Sequence, residues 1–132
     1  MSLKRVVITG LGALTPIGNT KDEFWNGLEK GMSGAAPITK FNAENFKTRF
    51  ACEVKGFDPL NFIDRKDARK MDIFTQYALV SSLEAIADSG IDLQNTNLHR
   101  FGVIWGSGIG GLRTFHDEVS AFATGNGIPR YN

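Results

Sequence analysis

The sequence predicts an α/β fold, with helices packed on a sheet, and three observations lead to this prediction. Apolar, β-branched runs occur at residues 5–9 and 101–105, which is typical of strands buried on both faces. A glycine-rich turn follows each run. Segments with the apolar spacing of a helix come after both turns. Because strands and helices alternate, we expect α/β architecture, although these strands are few for so many apolar helices.

The first predicted helix begins with a recognisable N-terminal signal. Thr20 is an N-cap residue with a glutamate three positions later, which is the pattern of a capping box. We expect this helix to turn Phe24, Trp25 and Leu28 inward. Gly31 is predicted to end the helix, because glycine readily adopts the left-handed conformation found after many helices.

The middle and the end of the chain contain two further predicted helices. Residues 32–46 are predicted to be mostly loop and residues 50–54 to be a short strand. The longest helix is predicted from Asp72, its N-cap, to Gly90. Apolar residues cover most of its circumference, which indicates a core helix or one shared between two layers. The last helix is predicted to place four apolar side chains on one face: Leu112, Phe115, Val119 and Phe122.

Composition and charge exclude several classes of function. The 132 residues suffice for one domain, and a net charge of +1 gives no general attraction for nucleic acid or anionic membranes. No apolar run approaches the roughly 20 residues of a membrane span. A single cysteine, Cys52, excludes an internal disulfide and is typical of a reducing compartment. We therefore expect a cytoplasmic protein that binds neither nucleic acid nor membrane.

Cys52 is also the only thiol in the chain, and its surroundings argue against a catalytic role. A reactive thiol needs a base or a positive dipole beside it, whereas His99 and His116 are predicted on helix or loop surfaces. Cys52 lies in a short apolar stretch, so we expect a buried structural cysteine. One cysteine and two scattered histidines also lack metal-ligand spacing, and no metal site is expected.

The glycine-rich segment at residues 106–111 matches the dinucleotide-binding fingerprint. Gly106, Gly108 and Gly111 have its spacing and stand between a predicted strand and a predicted helix. The fingerprint also requires an acidic residue about 20 positions later, but nothing acidic follows Glu118. The alternative, which we favour, is that the glycines allow a tight turn and a close approach to another surface.

The densest positive cluster spans residues 65–70, where four of six residues are basic. One interpretation is a solvated helix start or turn. The other is a docking patch for an acidic partner, since clustered charge steers association even when the net charge is near zero. Nucleic acid is disfavoured as that partner, because no wider basic stripe surrounds the cluster.

Three separated segments have specific motifs. The first is residues 6–18, Val-Val-Ile-Thr-Gly-Leu-Gly-Ala-Leu-Thr-Pro-Ile-Gly, and the second is residues 69–74, Arg-Lys-Met-Asp-x-Phe. The third is residues 106–112, Gly-Ser-Gly-Ile-Gly-Gly-Leu. Their order and spacing resemble the β-ketoacyl-acyl carrier protein synthases, the condensing enzymes of fatty-acid synthesis. The third segment resembles the synthase II branch, because synthase I usually has glycine at the position of Ile109.

This resemblance implies a fold, an assembly and an activity. The fold is thiolase-like, with two related α/β halves in αβαβα layers, and the assembly is a homodimer. The activity is an acyl transfer by decarboxylative Claisen condensation: an acyl chain moves to an active-site cysteine, and a carbanion from a malonyl group attacks that thioester. The implied partners are acyl- and malonyl-loaded acyl carrier protein, and no cofactor is expected.

The resemblance also implies residues for two sites. Gly108 and Ile109 are expected in the acyl-binding pocket, where Ile109 limits how far a chain can enter. The alternative for Ile109 is an ordinary core contact under the last helix. Carrier-protein docking is expected at four basic residues: Lys66, Arg69, Lys70 and Arg130.

No catalytic residue of the family can be placed in this chain. The family nucleophile lies in a motif resembling Thr-Ala-Cys-Ala-Ser, whereas Cys52 is followed by Glu53. We therefore expect residues 1–132 to be the amino-terminal portion of the synthase domain, ending before the nucleophile. One alternative is a non-catalytic relative, such as a polyketide chain-length partner, which the residue at the nucleophile position would identify. The other is a nucleotide-binding module built on residues 106–111, which a nucleotide-binding test would identify.

Overall fold

The structure is a computed structural model that describes residues 3–125 and 127–128. Its helices are α1 (Lys21–Glu29), α2 (Arg65–Ala68), α3 (Ile73–Ser89) and α4 (Leu112–Thr124). Its strands are β1 (Ala35–Pro37) and β2 (Phe50–Cys52), and single 3-10 turns span Pro59–Asn61 and Leu98–Arg100. None of the described helices is long and apolar enough to cross a membrane.

The longest helix, α3, has the limits that the sequence predicts. Asp72 precedes it, and Gly90 follows with a φ of 65°, the left-handed conformation that closes helices. Within the described structure, α3 buries only Gln76, Val80 and Ser81. Its other apolar side chains are half-buried or exposed. The expectation of a core helix therefore holds for one face of α3 only.

Helix α1 begins as predicted but buries less of its surface than predicted. The Thr20 hydroxyl accepts the N–H of Glu23 at 3.2 Å, and the Glu23 carboxylate accepts a preceding backbone N–H at 2.8 Å. The Thr20 and Glu23 side chains therefore satisfy two backbone donors at the start of the helix. Phe24 is half-buried, whereas Trp25 and Leu28 are exposed. The inward orientation expected for the last two is wrong here, because no described segment covers that side of α1.

The two strands form a short antiparallel hairpin. Ala35 pairs with Cys52 and Pro37 with Phe50. The predicted strand at residues 50–54 is confirmed as the shorter β2, but β1 lies in a segment predicted to be loop. Its three residues, Ala-Ala-Pro, lack the β-branched composition that indicates a strand.

Two predicted buried strands are absent from the described part of the chain. Residues 5–9 and 101–105 belong to no strand there, and Val6, Ile8 and Ile104 are 90%, 82% and 98% exposed. A strand needs a neighbour that receives its backbone hydrogen bonds, and no other described segment pairs with these runs. The strand prediction for these two runs is therefore wrong for this structure, although both runs are apolar as described.

The opening segment crosses α3 at very short range. A side chain on Gly10 would overlap the Ala85 carbonyl oxygen, and one on Gly12 would overlap the Ser81 carbonyl oxygen. Because both obstacles are helix backbone, neither could move aside. Glycine is therefore required at both positions for the opening segment to lie on the helix.

Two carboxylates on α3, which we call the carboxylate clasp (Glu84 and Asp88), hold that segment in place. Asp88 accepts the N–H of Leu11 at 2.9 Å, and Glu84 accepts the N–H of Ala13 at 2.8 Å. Lys21 contacts both carboxylates: its backbone N–H donates to Glu84 at 2.8 Å, and its side-chain ammonium lies 3.3 Å from the Asp88 carboxylate. The Leu11 hydrogen bond, supported by Lys21, holds the pKa of Asp88 below its ordinary value.

The buried apolar core of the described residues lies between α2 and α3. Its buried members are Ile63, Ala68 and Val80, with Phe57, Met71 and Leu79 packed against them. Ala68 is the inward-facing residue of α2, and the basic residues of the same helix face outward. The predicted basic cluster therefore lies on the outer side of α2, and the inner side of α2 packs in the core.

The chain exposes more surface than a compact protein of its mass. Its accessible surface is 11101 Å² at 14.5 kDa, against about 6,900 Å² for an average compact monomer of that mass. A large part of this surface belongs to big apolar side chains, among them Val6, Ile104, Leu112 and Phe115.

Candidate functional site

The basic patch (Lys66, Arg69 and Lys70) stands on and just after α2. Asp64 begins this helix by accepting the N–H of Lys66 at 2.8 Å, and all three basic side chains are exposed. Lys70 lies 4.0 Å from Asp67, with both side chains more than half exposed, so this ion pair is weak. Within the described residues, Lys66 and Arg69 take part in no ion pair.

The spacing of the basic patch directs its charges to one side. Lys66, Arg69 and Lys70 have the i, i+3 and i+4 spacing that brings side chains to one face of a helix, and Arg69, the residue after α2, keeps a right-handed helical backbone. Ala68 occupies the opposite side and is buried. Both interpretations of the cluster, a solvated turn and a docking patch, require exposed cations, and the structure shows all three exposed.

The glycine-rich loop contacts α3 through its second half. A side-chain carbon at Gly110 would lie 2.8 Å from the Phe74 ring, and one at Gly111 would lie 2.9 Å from the Asp72 carboxylate. Gly111 also has a φ of 68°, which favours glycine. A side-chain carbon at Gly106 or Gly108 would meet no described atom within 4 Å. The close approach expected of these glycines is confirmed for the second half of the loop.

Asp72 has a contact that its predicted N-cap role did not indicate. It occupies the N-cap position of α3 but makes no side-chain cap hydrogen bond. Its carboxylate instead accepts the hydroxyl hydrogen of Thr114, at the start of α4. Asp72 therefore ties the beginnings of α3 and α4 together. No local pattern could have predicted this contact, because the two residues are 42 positions apart.

Ile109 borders a surface cleft of about 250 Å³ between the beginnings of α3 and α4. Met71, Phe74 and Leu112 supply apolar walls. Ile109 is 76% exposed, so the core contact considered for it is not formed. Met71 directly follows Lys70 in the chain, and the cleft therefore begins where the basic patch ends.

The other two predicted site residues, Gly108 and Arg130, are not among the described residues that form the basic patch or line the cleft. Gly108 precedes Ile109 and is exposed, with open space where a side chain would stand. Arg130 lies outside the described residues. Of the predicted site residues, the structure therefore places Lys66, Arg69 and Lys70 in the basic patch and Ile109 at the cleft.

Cys52 is exposed, which corrects the expectation of a buried cysteine. It pairs with Ala35 at the end of a two-stranded hairpin, and such a hairpin has too few neighbours to enclose it. His99 and His116 are exposed, as predicted. Within residues 3–125 and 127–128, no three histidine, cysteine or acidic side chains come together as metal ligands would.

Comparison with known proteins identifies the family to which this fold belongs. The sequence matches the family described as β-ketoacyl synthase, N-terminal domain, over residues 3–129. This match covers nearly the whole chain. The chain belongs to the β-ketoacyl synthase N-terminal domain family.

Individual relatives agree with this family and with the synthase II resemblance. The chain is 48% identical over 115 residues to the 3-oxoacyl-acyl-carrier-protein synthase 2 of Synechocystis sp., covering 87% of this chain and 28% of the relative. It is 50% identical over 112 residues to the protein of the same name from Vibrio cholerae, covering 85% and 27%. The chain thus spans less than a third of the length of these curated relatives.

A solved structure confirms the fold class. The ishigamide ketosynthase/chain length factor matches with a TM-score of 0.74 and 29% identity, over 91% of this chain and 30% of that chain. The α/β, thiolase-like class predicted from the sequence is therefore correct, and the described residues correspond to one part of that larger fold.

Proposed function

We propose that this chain is the amino-terminal part of a condensing enzyme of fatty-acid synthesis, a 3-oxoacyl-acyl carrier protein synthase. Relatives at 48% and 50% identity have that name. The observation that carries the proposal is that Lys70 of the basic patch is followed directly in the chain by Met71, which lines the Ile109 cleft. An enzyme that takes an acyl group from an acidic carrier needs its docking surface beside its acyl pocket.

The proposed reaction consists of two steps. The acyl group leaves its carrier thiol and forms a thioester with an enzyme cysteine other than Cys52. Malonyl-carrier protein then loses carbon dioxide, and the electron pair of the broken carbon–carbon bond forms a carbanion. The carbanion attacks the thioester carbonyl carbon, and the cysteine thiolate leaves, which releases 3-oxoacyl-carrier protein.

In this proposal the basic patch, together with Arg130, receives acidic side chains of the carrier protein. Exposed ion pairs contribute about 0–1 kcal/mol each, so no single cation decides the affinity. Their joint effect is to steer the carrier toward the enzyme and to orient it. The Lys70–Asp67 pair is long and exposed, so Lys70 can exchange this partner for a carrier carboxylate at little cost.

The Ile109 cleft is the proposed entry to the acyl pocket. Its walls are apolar at Met71, Phe74 and Leu112, which suits an alkyl chain because apolar burial stabilises the bound state. No side chain occupies the space beside the backbone at Gly108, the residue before Ile109. The Ile109 side chain is then the element that limits how far an acyl chain enters.

We also infer that the full-length enzyme is a cytoplasmic homodimer. Helix α4 presents an exposed apolar face that a second subunit would cover, formed by Leu112, Phe115, Val119 and Phe122. Light scattering coupled to gel filtration would report a mass of two subunits; a monomeric mass at micromolar concentration would contradict the dimer.

A non-catalytic chain-length partner is the second candidate. One observation favours it, since a solved structure that matches this chain is a ketosynthase/chain length factor. The identity to that structure is 29%, however, and the identity to the synthase 2 of Vibrio cholerae is 50%. The catalytic enzyme is therefore preferred. A nucleotide-binding module has no comparable support from the comparisons.

Condensation by the full-length enzyme that carries this chain tests the proposal. Acyl-carrier protein and malonyl-carrier protein should yield 3-oxoacyl-carrier protein and one carbon dioxide per product. Prior alkylation of the enzyme thiols, with the acyl substrate added first in a parallel sample for protection, is the control. Absence of both product and acyl-enzyme would overturn the proposal in favour of the non-catalytic partner.

A further inference from the structure

Gln76 is a buried amide directly behind the basic patch. It lies on α3, is 8% exposed, and is one of two buried polar side chains in the described residues. Burying an amide is unfavourable unless its polar atoms find partners. The contacts of Gln76 therefore indicate why an amide, and not an apolar side chain, occupies this position.

The side-chain nitrogen of Gln76 donates to two backbone carbonyls that flank the basic residues. It lies 2.9 Å from the carbonyl oxygen of Ala68 and 3.1 Å from that of Met71. Arg69 and Lys70 are the two residues between these carbonyls. One amide group therefore fastens both ends of the segment that carries two of the three patch cations.

This segment cannot hold its own conformation. Helix α2 has four residues, and one isolated helical turn is unstable because nucleation is unfavourable. Two of the three backbone hydrogen bonds that continue it are long, with Arg69 N–H donating to Arg65 at 3.3 Å and Met71 N–H donating to Ala68 at 3.3 Å, whereas Lys70 N–H donates to Asp67 at 3.0 Å. Ala68 packs in the core with Val80 of α3, and the Gln76 bonds add a directional connection to the backbone on both sides of Arg69 and Lys70.

The oxygen of Gln76 indicates that stability alone does not explain the residue. This atom is buried and has no hydrogen-bond partner among the described residues, which is unfavourable. An apolar side chain of similar volume would fill the same space without an unpaired oxygen. What such a side chain lacks is the pair of donors that fixes the segment of Arg69 and Lys70.

We propose that Gln76 is a positioning residue for carrier-protein docking, which holds Arg69 and Lys70 in register for an acidic partner by donating to the carbonyls of Ala68 and Met71. This inference rests on the proposed function, because it assumes that the basic patch receives the carrier. Gln76 touches neither substrate nor reacting atoms. It acts only through the backbone that carries the patch.

Kinetics and binding of full-length Gln76→Met enzyme test this inference. Methionine keeps the length and removes both donors. The KM for acyl-carrier protein and the Kd for the carrier alone should rise roughly three- to tenfold, as expected for one or two net hydrogen bonds. The kcat, and the KM for the same acyl group on coenzyme A, should stay as in wild type, because that donor does not dock on the patch.

Val80→Ala is the matched control, since it weakens the same core on the same helix without touching the two carbonyls. It should lower thermal stability and leave the ratio of the two KM values unchanged. If Gln76→Met behaves like Val80→Ala, or changes both KM values alike, the positioning role is wrong. If Gln76→Met yields no folded enzyme, Gln76→Asn, whose amide is one methylene too short, should show the same KM split.

The Arg69→Glu/Lys70→Glu double variant, titrated with carrier in parallel, separates this inference from the function it rests on. Weaker carrier binding by the double variant but not by Gln76→Met would overturn the role of Gln76 and leave the docking patch intact. Unchanged binding by the double variant would remove the docking patch, and the role of Gln76 with it. Weaker binding by both variants is the expected result.

Discussion

Glu84 and Asp88 stand one turn apart on α3, and each accepts a backbone N–H from the opening segment. The pKa of Asp88 is lowered in the folded state, first by the Leu11 hydrogen bond and then by Lys21. A carboxyl group whose folded pKa lies below its unfolded value stabilises the fold above the unfolded pKa, about 3.9 for aspartate. This contribution is lost as the pH falls through the lower, folded pKa.

The clasp predicts local protection of the opening segment. In Asp88→Ala, amide exchange at Leu11 should be several-fold faster than in wild type at pH 7, because the acceptor is gone. In the wild type, the same protection should persist at pH 5 and disappear only below about pH 3.9. Glu29→Gln, which removes an exposed carboxylate at the end of α1, is the control. Equal protection of Leu11 in both variants would contradict the clasp.

A second prediction for a single residue concerns Ile109. Ile109→Phe should hinder long acyl chains and spare short ones, because the larger ring narrows the cleft. Overpacking of this kind costs about 1–3 kcal/mol, enough for roughly a tenfold or larger change in selectivity. The measurement is enzyme acylation across a series of chain lengths. Leu98→Phe, on an exposed 3-10 turn, is the control, and an equal loss at every length would remove Ile109 from the pocket.

Some helices and strands are predictable from signals within their own segment, whereas others depend on partners elsewhere in the chain. Helices α1, α3 and α4 were predictable because caps, closing glycines and apolar spacing are encoded within each segment. The strands predicted at residues 5–9 and 101–105 depend on partners elsewhere, so an apolar run could not establish that they form here. β1 was missed for a related reason, since only its pairing with β2 makes it a strand.

The candidate site divides in the same way. The basic patch was predictable from charge density, and Ile109 from its motif. Gln76 and Asp72 were not predicted to hold the site together, although Asp72 lies in the motif of residues 69–74 and Gln76 lies two residues after it. Their partners lie on other turns, five and eight positions away for Gln76 and 42 positions away for Asp72. Contacts of that range require the fold.

The crossing of the opening segment over α3 predicts unequal tolerance of two glycines. Gly12→Ala should destabilise the protein by about 3 kcal/mol, because the new methyl group meets helix backbone that cannot move. Gly102→Ala is the matched control, since no described atom lies within 4 Å of its side-chain position. Urea denaturation of both variants of the full-length enzyme measures the difference. A loss of stability in Gly12→Ala no larger than that in Gly102→Ala would contradict the close crossing.

At the scale of the whole molecule, surface area is the dominant feature. The accessible surface of 11101 Å² exceeds the about 6,900 Å² of a compact monomer of this mass. The isolated 132-residue chain should therefore bind hydrophobic dyes and unfold without a sharp transition. It should also show no condensing activity, because its sequence contains neither a Cys–His pair at plausible spacing nor a motif resembling that of the family nucleophile. Calorimetry and a carrier-protein condensation assay measure these properties. A cooperative transition in a monomeric sample, or turnover by this chain alone, would contradict the prediction.

Docking of the carrier at the basic patch is tested most directly by kcat/KM for acyl-carrier protein, measured over a range of salt concentrations. The full-length Arg69→Glu/Lys70→Glu enzyme is compared with the full-length Lys47→Glu/Lys55→Glu enzyme. Both pairs are exposed and undergo the same change in charge. Loss of the patch should lower kcat/KM at least about tenfold at low salt and flatten its salt dependence, because steering depends on clustered charge. The control pair should stay within about twofold of wild type. Equal kinetics of the two double variants at low salt would contradict docking of the carrier at this patch.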